Sequence, residues 1–236
     1  MLYNPRRLRL ALPIAGDIPL YQGDMEKDLQ LVSRNRLAEM ITGGLSYPSK
    51  MDCPSWGIPI EHCKTGSKLA QKEGTVCEGC YAAKGTFRFR STQEKLRRSY
   101  EGLFHPLWTP AMVQQIRWHC HELFRWFMSG DFQSIHHVRN VIRICLETPW
   151  IMHWAPTREK DMVLACKDEI PDNLLLRASG NRVDGKPPLW WPTTSTVVTA
   201  AAAATCPSSL QGGSCGENHC TACWEPWVKN IAYHRH

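Results

Sequence analysis

Two short segments of this chain hold eight of its eleven cysteines, and their spacing indicates metal chemistry. In chain order these eight are Cys53, Cys63, Cys77 and Cys80 within 28 residues, and Cys206, Cys215, Cys220 and Cys223 within 18 residues. Each segment ends in a C-x-x-C pair, which can direct two thiolates at one metal while two further thiolates from nearby loops complete a four-sulfur shell. We therefore expect one metal centre in each segment.

The metal itself is open between iron and zinc, because four thiolates suit either tetrahedral zinc or an iron–sulfur cluster. Zinc ribbons usually show two C-x-x-C pairs, whereas each segment here has one pair preceded by widely spaced single cysteines. Clusters accept ligands from irregular loops, so we expect two [4Fe–4S] clusters, with zinc as the alternative. The other three cysteines, Cys120, Cys145 and Cys166, fall on helix-like stretches and are expected to be buried core thiols.

The composition indicates an ordinary globular domain, with 236 residues, 43% apolar and 21% charged. The net charge of +6 permits contact with nucleic acid without demanding it. The apolar run at 196–204 is far too short for a membrane span. The arginine-rich start is followed by an apolar segment, 10–14, that is too short for an export signal. We therefore expect a reducing, cytoplasmic setting, in which cysteines are thiols or metal ligands.

We expect one α/β domain over residues 1–236. It divides into an N-terminal extension at 1–50, the first cysteine segment at 51–90, a βα core at 91–200 and the second cysteine segment at 201–236. Predicted strands at 123–128, 150–154, 173–178 and 195–199 alternate with helices, among them 91–103, 110–122 and an amphipathic one starting near Ile135. One further helix is predicted at about 24–41. This order predicts right-handed βαβ units and a parallel sheet, in the manner of a partial TIM-like barrel.

Ligands of parallel α/β folds bind at the carboxyl ends of the strands, so the loops at 129–131, 157–158 and 179–181 are expected to share one edge. Three charged residues are predicted to orient substrate or cofactor through charge-assisted hydrogen bonds: Asp131, Arg158 and Arg177. Three small residues are candidates for cofactor binding: Ser129, Gly130 and Ser179. The two serines fit ordinary turn or N-cap roles equally well.

A basic stripe over residues 86–98 combines five cations with two phenylalanines, Phe87 and Phe89. The cations are Arg88, Arg90, Lys95, Arg97 and Arg98. Such a stripe can follow phosphates while the rings stack on unpaired bases. The alternative is that the rings face a core and the cations are merely solvated. The chain has no P-loop, no G-x-G-x-x-G, no H-E-x-x-H and no nucleophile elbow.

The run Cys77-Glu-Gly-Cys80-Tyr-Ala-Ala-Lys-Gly85 resembles the phage and prophage "gene product 88" family. Further motifs carry the resemblance: Cys53-Pro-Ser-Trp-Gly57, Cys63-Lys-Thr-Gly-Ser-Lys68, Arg125-Trp-Phe-Met-Ser-Gly-Asp-Phe132, Thr157-Arg158 and Cys206-Pro…Cys223-Trp224. It covers about residues 45–236 and implies a shared architecture.

The C-x-x-C-Tyr-Ala turn ahead of βα units is also similar to phage proteins related to the radical S-adenosylmethionine enzymes. That resemblance implies that Cys63, Cys77 and Cys80 hold a cluster whose fourth iron binds S-adenosylmethionine, and that the second segment carries an auxiliary cluster. The spacing departs from the usual C-x3-C-x-x-C, because thirteen residues separate Cys63 from Cys77. Cys53 could also close the fourth position.

Two hypotheses of different class follow. The first is an iron–sulfur protein with radical-type enzymology at the carboxyl edge of the strands. The second is a nucleic-acid-binding accessory protein without catalytic activity, in which zinc or inert clusters are structural and the basic stripe is the working surface.

Overall fold

The fold is built on one sheet of six parallel strands in the order β1-β2-β3-β4-β5-β6. The computed structural model describes residues 17–208 and 213–235. The strands are β1 (Ser55–Trp56), β2 (Leu123–Trp126), β3 (Met152–Thr157), β4 (Leu174–Val183), β5 (Thr194–Val198) and β6 (Asn230–His234). Each strand pairs with the next one along the chain, so every crossover joins neighbours and all the carboxyl ends lie along one edge.

Seven α-helices lie among the described residues. They are α1 (Met25–Leu31), α2 (Asn35–Thr42), α3 (Lys64–Leu69), α4 (Arg90–Gly102), α5 (Trp108–His119), α6 (Ile135–Leu146) and α7 (Lys160–Leu164). Helix α6 begins where the Ser134 hydroxyl accepts a hydrogen bond from the His137 amide at 3.1 Å. Helix α2 ends at Gly43, whose φ of 77° is the left-handed conformation that favours glycine at this position.

The two faces of the sheet have different partners, because successive side chains of a strand point to opposite sides. Phe124 and Trp126 of β2 belong to the main hydrophobic core, together with the buried faces of α5 and α6. Trp154 of β3 and Ile231 of β6 belong to a second, smaller cluster. That cluster also contains Cys53 and Cys223, so the cysteine-bearing loops cover the face of the sheet that the helices leave open.

The predicted α/β class with a parallel sheet is confirmed, and all four predicted strands are present with shifted ends. Strands β1 and β6 were not predicted. The helix predicted at about 24–41 is two helices, because the chain leaves the helical conformation at Arg34, which has φ −95° and ψ 122°. Helix α4 begins after Phe89, whose side chain makes no hydrogen bond to the first turn of the helix, so α4 has no side-chain N-cap. The arginine-rich start of the chain, residues 1–16, lies outside the described residues.

The predicted core thiols Cys120, Cys145 and Cys166 are buried in the main hydrophobic core, as expected. Within residues 17–208 and 213–235, no helix combines the length and the apolar character that crossing a bilayer requires.

Candidate metal centres

Cys63, Cys77 and Cys80 are neighbours at the carboxyl edge of the sheet. A Cβ added to Gly66 would lie 3.6 Å from the Cys63 sulfur and 3.7 Å from the Cys77 sulfur, so both sulfur atoms flank the same glycine. Burial, together with the nearby Asp131, Cys80 and Cys77, raises the pKa of the Cys63 thiol to about 12. Burial also raises the pKa of Cys77, while the neighbouring Arg158 cation lowers it.

Hydrogen bonds to Glu159, just beyond β3, and to β4 hold the loop that carries these cysteines. The backbone amide and hydroxyl of Thr65 donate to the two carboxylate oxygens of Glu159 at 2.9 and 3.0 Å. Glu159 is buried and follows β3 by two residues. The amide of Val76, next to Cys77, donates to the carbonyl of Asn181 in β4 at 3.0 Å. The thiols are therefore fixed against the ends of two adjacent strands.

A third attachment follows the C-x-x-C pair. The hydroxyl of Tyr81 donates to the carbonyl of Met128, just beyond β2, at 2.5 Å. The same hydroxyl accepts a hydrogen bond from the Arg125 guanidinium at 3.1 Å. The first cysteine loop is thus attached beyond β2, beyond β3 and on β4.

Asp131 lies at this edge, where its carboxylate joins the ends of β2 and β3. It accepts hydrogen bonds from the Phe132 amide at 2.8 Å, the Thr157 hydroxyl at 2.7 Å and the Arg158 amide at 2.8 Å. Burial raises the pKa of Asp131 to about 6, although these hydrogen bonds act in the opposite direction. Its carboxylate is held by three hydrogen bonds from the loops after β2 and β3, so its geometry is that of a positioning residue beside the thiols.

Arg158 also lies at this edge, as predicted from its place after a strand. Its guanidinium donates to the carbonyl of Gly180 at 3.1 Å, and its Nε is buried without a hydrogen-bond partner among the described residues. A buried N–H without an acceptor costs stability unless a ligand or water supplies one. Arg158 is therefore the predicted edge residue with hydrogen-bonding capacity left for a ligand.

Cys53 is separated from the other three cysteines of its segment and lies with the second group. The residues whose charges act most strongly on its thiol include Arg125, Cys215 and Cys223. The amide of Cys215 donates to the carbonyl of Lys50 at 2.7 Å, which brings the two cysteine segments together. The expected division into four and four cysteines is corrected by this contact: three lie at the strand edge, and Cys53 joins the second segment.

The second group lies against β6 and Trp154. Burial raises the pKa of Cys223 to about 12, and its sulfur lies 3.3 Å from the hydroxyl of Tyr233. Cys206 and Cys220 act electrostatically on Cys215, so the four predicted ligands of this segment are near one another. Together with Cys53 they make five thiols.

Arg177 contacts the second cysteine segment instead of the carboxyl edge. It is fully buried, and its guanidinium donates to backbone carbonyls only. The accepting residues are Ala222, Cys223, Glu225 and Val228, at 2.7 to 3.0 Å, and Thr194 at 3.4 Å. The role expected for Arg177 in orienting substrate is therefore revised to a structural one, because its donors are taken up by the protein backbone.

Arg125 of β2 lies between the two groups of cysteines. It donates to Tyr81 of the first loop, and its guanidinium lies over the Trp154 ring, 4.9 Å from the centroid. It also acts electrostatically on Cys53 and Cys223. Arg125 takes part in none of the ion pairs found among the described residues. A largely buried cation therefore faces thiols without a carboxylate partner.

The small residues expected to bind a cofactor have mainly structural contacts. The Ser129 hydroxyl donates to the carbonyl of Ile58 at 2.7 Å. Gly130 has φ 84°, and an added Cβ would lie 2.2 Å from Ile58 Cγ1. Ser179 is buried and accepts a hydrogen bond from Ser195 at 3.3 Å. Ser129 and Gly130 therefore pack the loop after β2 against the loop after β1.

The basic stripe is partly neutralised within the protein. Arg90 pairs with Glu94 at 2.7 Å, and Arg97 pairs with Glu101 at 2.5 Å. Burial lowers the pKa of Lys95 to about 8, and its ammonium group donates to the Gly44 carbonyl and the Ser46 hydroxyl. Nucleic-acid binding by this stripe stays a prediction.

Metal binding by the two cysteine groups also stays a prediction. In the part of the chain that the structure describes, no three His, Cys, Asp or Glu side chains are placed around a common point as ligands of a single metal ion. What the structure supplies is the proximity of the thiols, their burial and the loops that hold them.

Fold and site together define an α/β protein whose parallel sheet carries neighbouring thiols at its carboxyl edge. The chain belongs to the Gene product 88 family of phage proteins, whose family model matches residues 20–226. No curated protein and no solved structure matches it.

Sequence reasoning missed several residues that position the thiols. Glu159 directly follows the predicted pair Thr157-Arg158, and a carboxylate at the end of a strand could have been included with them. Thr65 lies within the run after Cys63. The link between Arg125 and the cysteines has no local signal, because it depends on which face of β2 the arginine occupies.

Proposed function

We propose that this protein is an iron–sulfur enzyme with two cysteine-ligated [4Fe–4S] clusters and radical S-adenosylmethionine-like activity at the carboxyl edge of its sheet. The observation that carries the proposal is that Cys63, Cys77 and Cys80 neighbour one another at that edge while Cys53 lies elsewhere. Three thiolates on a four-iron cluster leave one iron without a protein ligand. When bound and reduced, such a cluster supplies the electron that cleaves S-adenosylmethionine.

The donor chemistry of the first group fits an iron–sulfur cluster. Thiolates are soft ligands that favour iron–sulfur clusters or zinc. Each thiolate of a cluster binds a different iron, so the ligands can come from an irregular loop such as the one that runs from Cys63 to Cys80. A zinc ion instead needs its sulfur ligands within about 3.8 Å of one another, given the Zn–S bond length and tetrahedral geometry.

The protein's own residues would hold a small ligand next to this group. The buried Nε of Arg158 has no hydrogen-bond partner among the described residues and can donate to the carboxylate of an amino-acid-like cofactor through a charge-assisted hydrogen bond. Asp131 fixes the backbone of Arg158, and Glu159 fixes the loop at Thr65. These contacts set the position of the arginine relative to the thiols before any ligand arrives.

The second group fits a structural or electron-transferring centre, because its thiols are enough to fill a four-sulfur shell. Cys206, Cys215, Cys220 and Cys223 are the proposed ligands, and Cys53 is a fifth thiol nearby. A thiolate-ligated centre carries negative charge, and the buried Arg125 cation would balance it.

The sequential order of the strands also supports a site at the carboxyl edge of the sheet, because (βα) barrels have the same strand order and their sites lie at that edge.

Metal analysis under strict exclusion of oxygen tests the proposal. We expect brown protein with about eight iron and eight acid-labile sulfide per chain. The Cys63→Ser variant should lose about half of the iron. A matched Cys145→Ser variant, which changes a buried core thiol, should retain it. Colourless protein with stoichiometric zinc would refute the proposal.

A further inference from the structure

A cleft of about 430 Å³ lies beside the first cysteine group, where β3 and β4 end. Its volume is within the range of small-molecule sites. Its wall is formed by the loop after β3, the end of β4 and the loop between β4 and β5. Arg158 is shared between this cleft and the thiols, because its cation acts on Cys77 and its side chain lines the cleft.

The cleft is strongly cationic. Four of the residues that line it carry positive charge: Arg158, Lys160, Arg182 and Lys186. No aspartate or glutamate is among its lining residues, and none of the four cations takes part in the ion pairs of the described residues. Four cations without carboxylate partners around one cleft favour an anion with several negative oxygens, such as a phosphate group.

One wall of the cleft is aromatic. Trp190 lines it, half-buried, and lies 6.2 Å from Trp191 between ring centroids. Trp191 is fixed to the sheet, since its indole N–H donates to the carbonyl of Leu176 at 3.0 Å. Indole rings beside cations bind bases by stacking while the cations hold the phosphate. The combination of Trp190 with the four cations therefore suits a nucleotide.

S-adenosylmethionine does not account for this charge. It carries a sulfonium and an ammonium against a single carboxylate and has no phosphate, so four cations would repel most of it. One arginine is enough for its carboxylate. The other three cations of the cleft, Lys160, Arg182 and Lys186, call for a second ligand that is strongly anionic.

We propose that this cleft binds the phosphate and base of a nucleotide, either free or at the end of a single strand. That the nucleotide is the substrate rests on the proposed function, whereas its binding does not. Arg158 then places the bound nucleotide next to the thiols, with Lys160, Arg182 and Lys186 on the phosphate and Trp190 on the base.

Isothermal titration calorimetry of the full-length protein tests the proposal. The probes are ATP, a single-stranded hexadeoxynucleotide and, as a phosphate-free control, adenosine. The cleft variant is Arg182→Glu with Lys186→Glu, two exposed positions, and the matched control is Arg88→Glu with Arg98→Glu on the basic stripe. We expect the cleft variant to weaken ATP binding by at least roughly tenfold and the stripe variant by less than about twofold.

Each outcome separates the alternatives. Binding of ATP that depends on the cleft indicates a free nucleotide, and binding of the hexanucleotide alone with the same dependence indicates a strand end. Binding of neither probe, or equal weakening by both double variants, would overturn the inference. Iron measured on the same samples keeps the two proposals distinct: iron-free protein with cleft-dependent binding refutes the enzyme and leaves the nucleotide site.

Discussion

Replacing Arg177 with methionine should loosen the second cysteine segment from the sheet. The fully buried guanidinium is the common donor for five carbonyls, four of them between Ala222 and Val228. Methionine matches the aliphatic part of the side chain but donates nothing, so these carbonyls lose their partner. Removing one side of a buried charged network costs about 3–5 kcal/mol. A loss of that size is a large part of a typical domain's free energy of unfolding.

Urea unfolding of the variants measures this cost. Arg182→Met is the matched control, because Arg182 is exposed on the same strand, and its free energy of unfolding should change by less than about 0.5 kcal/mol. The free energy of unfolding of Arg177→Lys should lie between those of Arg177→Met and Arg182→Met, since an ammonium cannot reach all five carbonyls at once. Equal stability of Arg177→Met and Arg182→Met would refute the structural role given to Arg177.

Three further predictions concern the core and the first loop. Burial lowers the pKa of both His137 and His153 to about 3, so between about pH 6.5 and this value only the unfolded chain takes up the proton. Below about pH 6.5 the free energy of unfolding should therefore fall by up to about 1.4 kcal/mol per pH unit for each histidine. In urea unfolding, Gly130→Ala should lower the free energy of unfolding by about 3–5 kcal/mol. Gly85→Ala, also at positive φ but in open space, should lower it by about 1 kcal/mol. Glu159→Gln should cost about 1–2 kcal/mol and speed hydrogen exchange in residues 64–80.

These three predictions have their own controls. His137→Phe should flatten the pH dependence, while His121→Gln at an exposed position should leave it unchanged. Asp131 acts in the opposite direction, because its raised pKa favours the folded state as the pH falls. The two histidines together outweigh this one carboxyl group, so a free energy of unfolding that increases from pH 7 to 5 would contradict the account. The control substitution Asp161→Asn on α7 should leave hydrogen exchange of the first loop unaffected. Equal hydrogen-exchange rates in Glu159→Gln and wild type would argue that Glu159 does not anchor this loop.

The residues at the carboxyl edge could be predicted because they follow local rules. Polar residues after a buried strand mark the edge where ligands bind, and this placed Asp131 and Arg158 correctly at the carboxyl edge of the sheet. Alternation along β4 would also have placed Arg177 on the opposite face from Leu176 and Ala178, but the strand is buried on both faces and shows no polar alternation.

Other features depend on long-range contacts that a single sequence does not show. Cys53 lies close to Cys63 in sequence, yet the backbone hydrogen bond between Cys215 and Lys50 brings it into the second group. Strand β1 has only two residues, too few for a recognisable period, and β6 follows a loop rich in cysteine and glycine. Their pairing partners, not their own composition, place both in the sheet.

Electron paramagnetic resonance of the reduced, anaerobically purified protein tests the central claim most directly. A cluster held by Cys63, Cys77 and Cys80 has one open iron, so S-adenosylmethionine should change its signal. The change should persist in Cys53→Ala and vanish in Cys77→Ala. A reduced protein whose spectrum is indifferent to S-adenosylmethionine, or one that loses the response only with Cys53→Ala, would contradict the three-cysteine site.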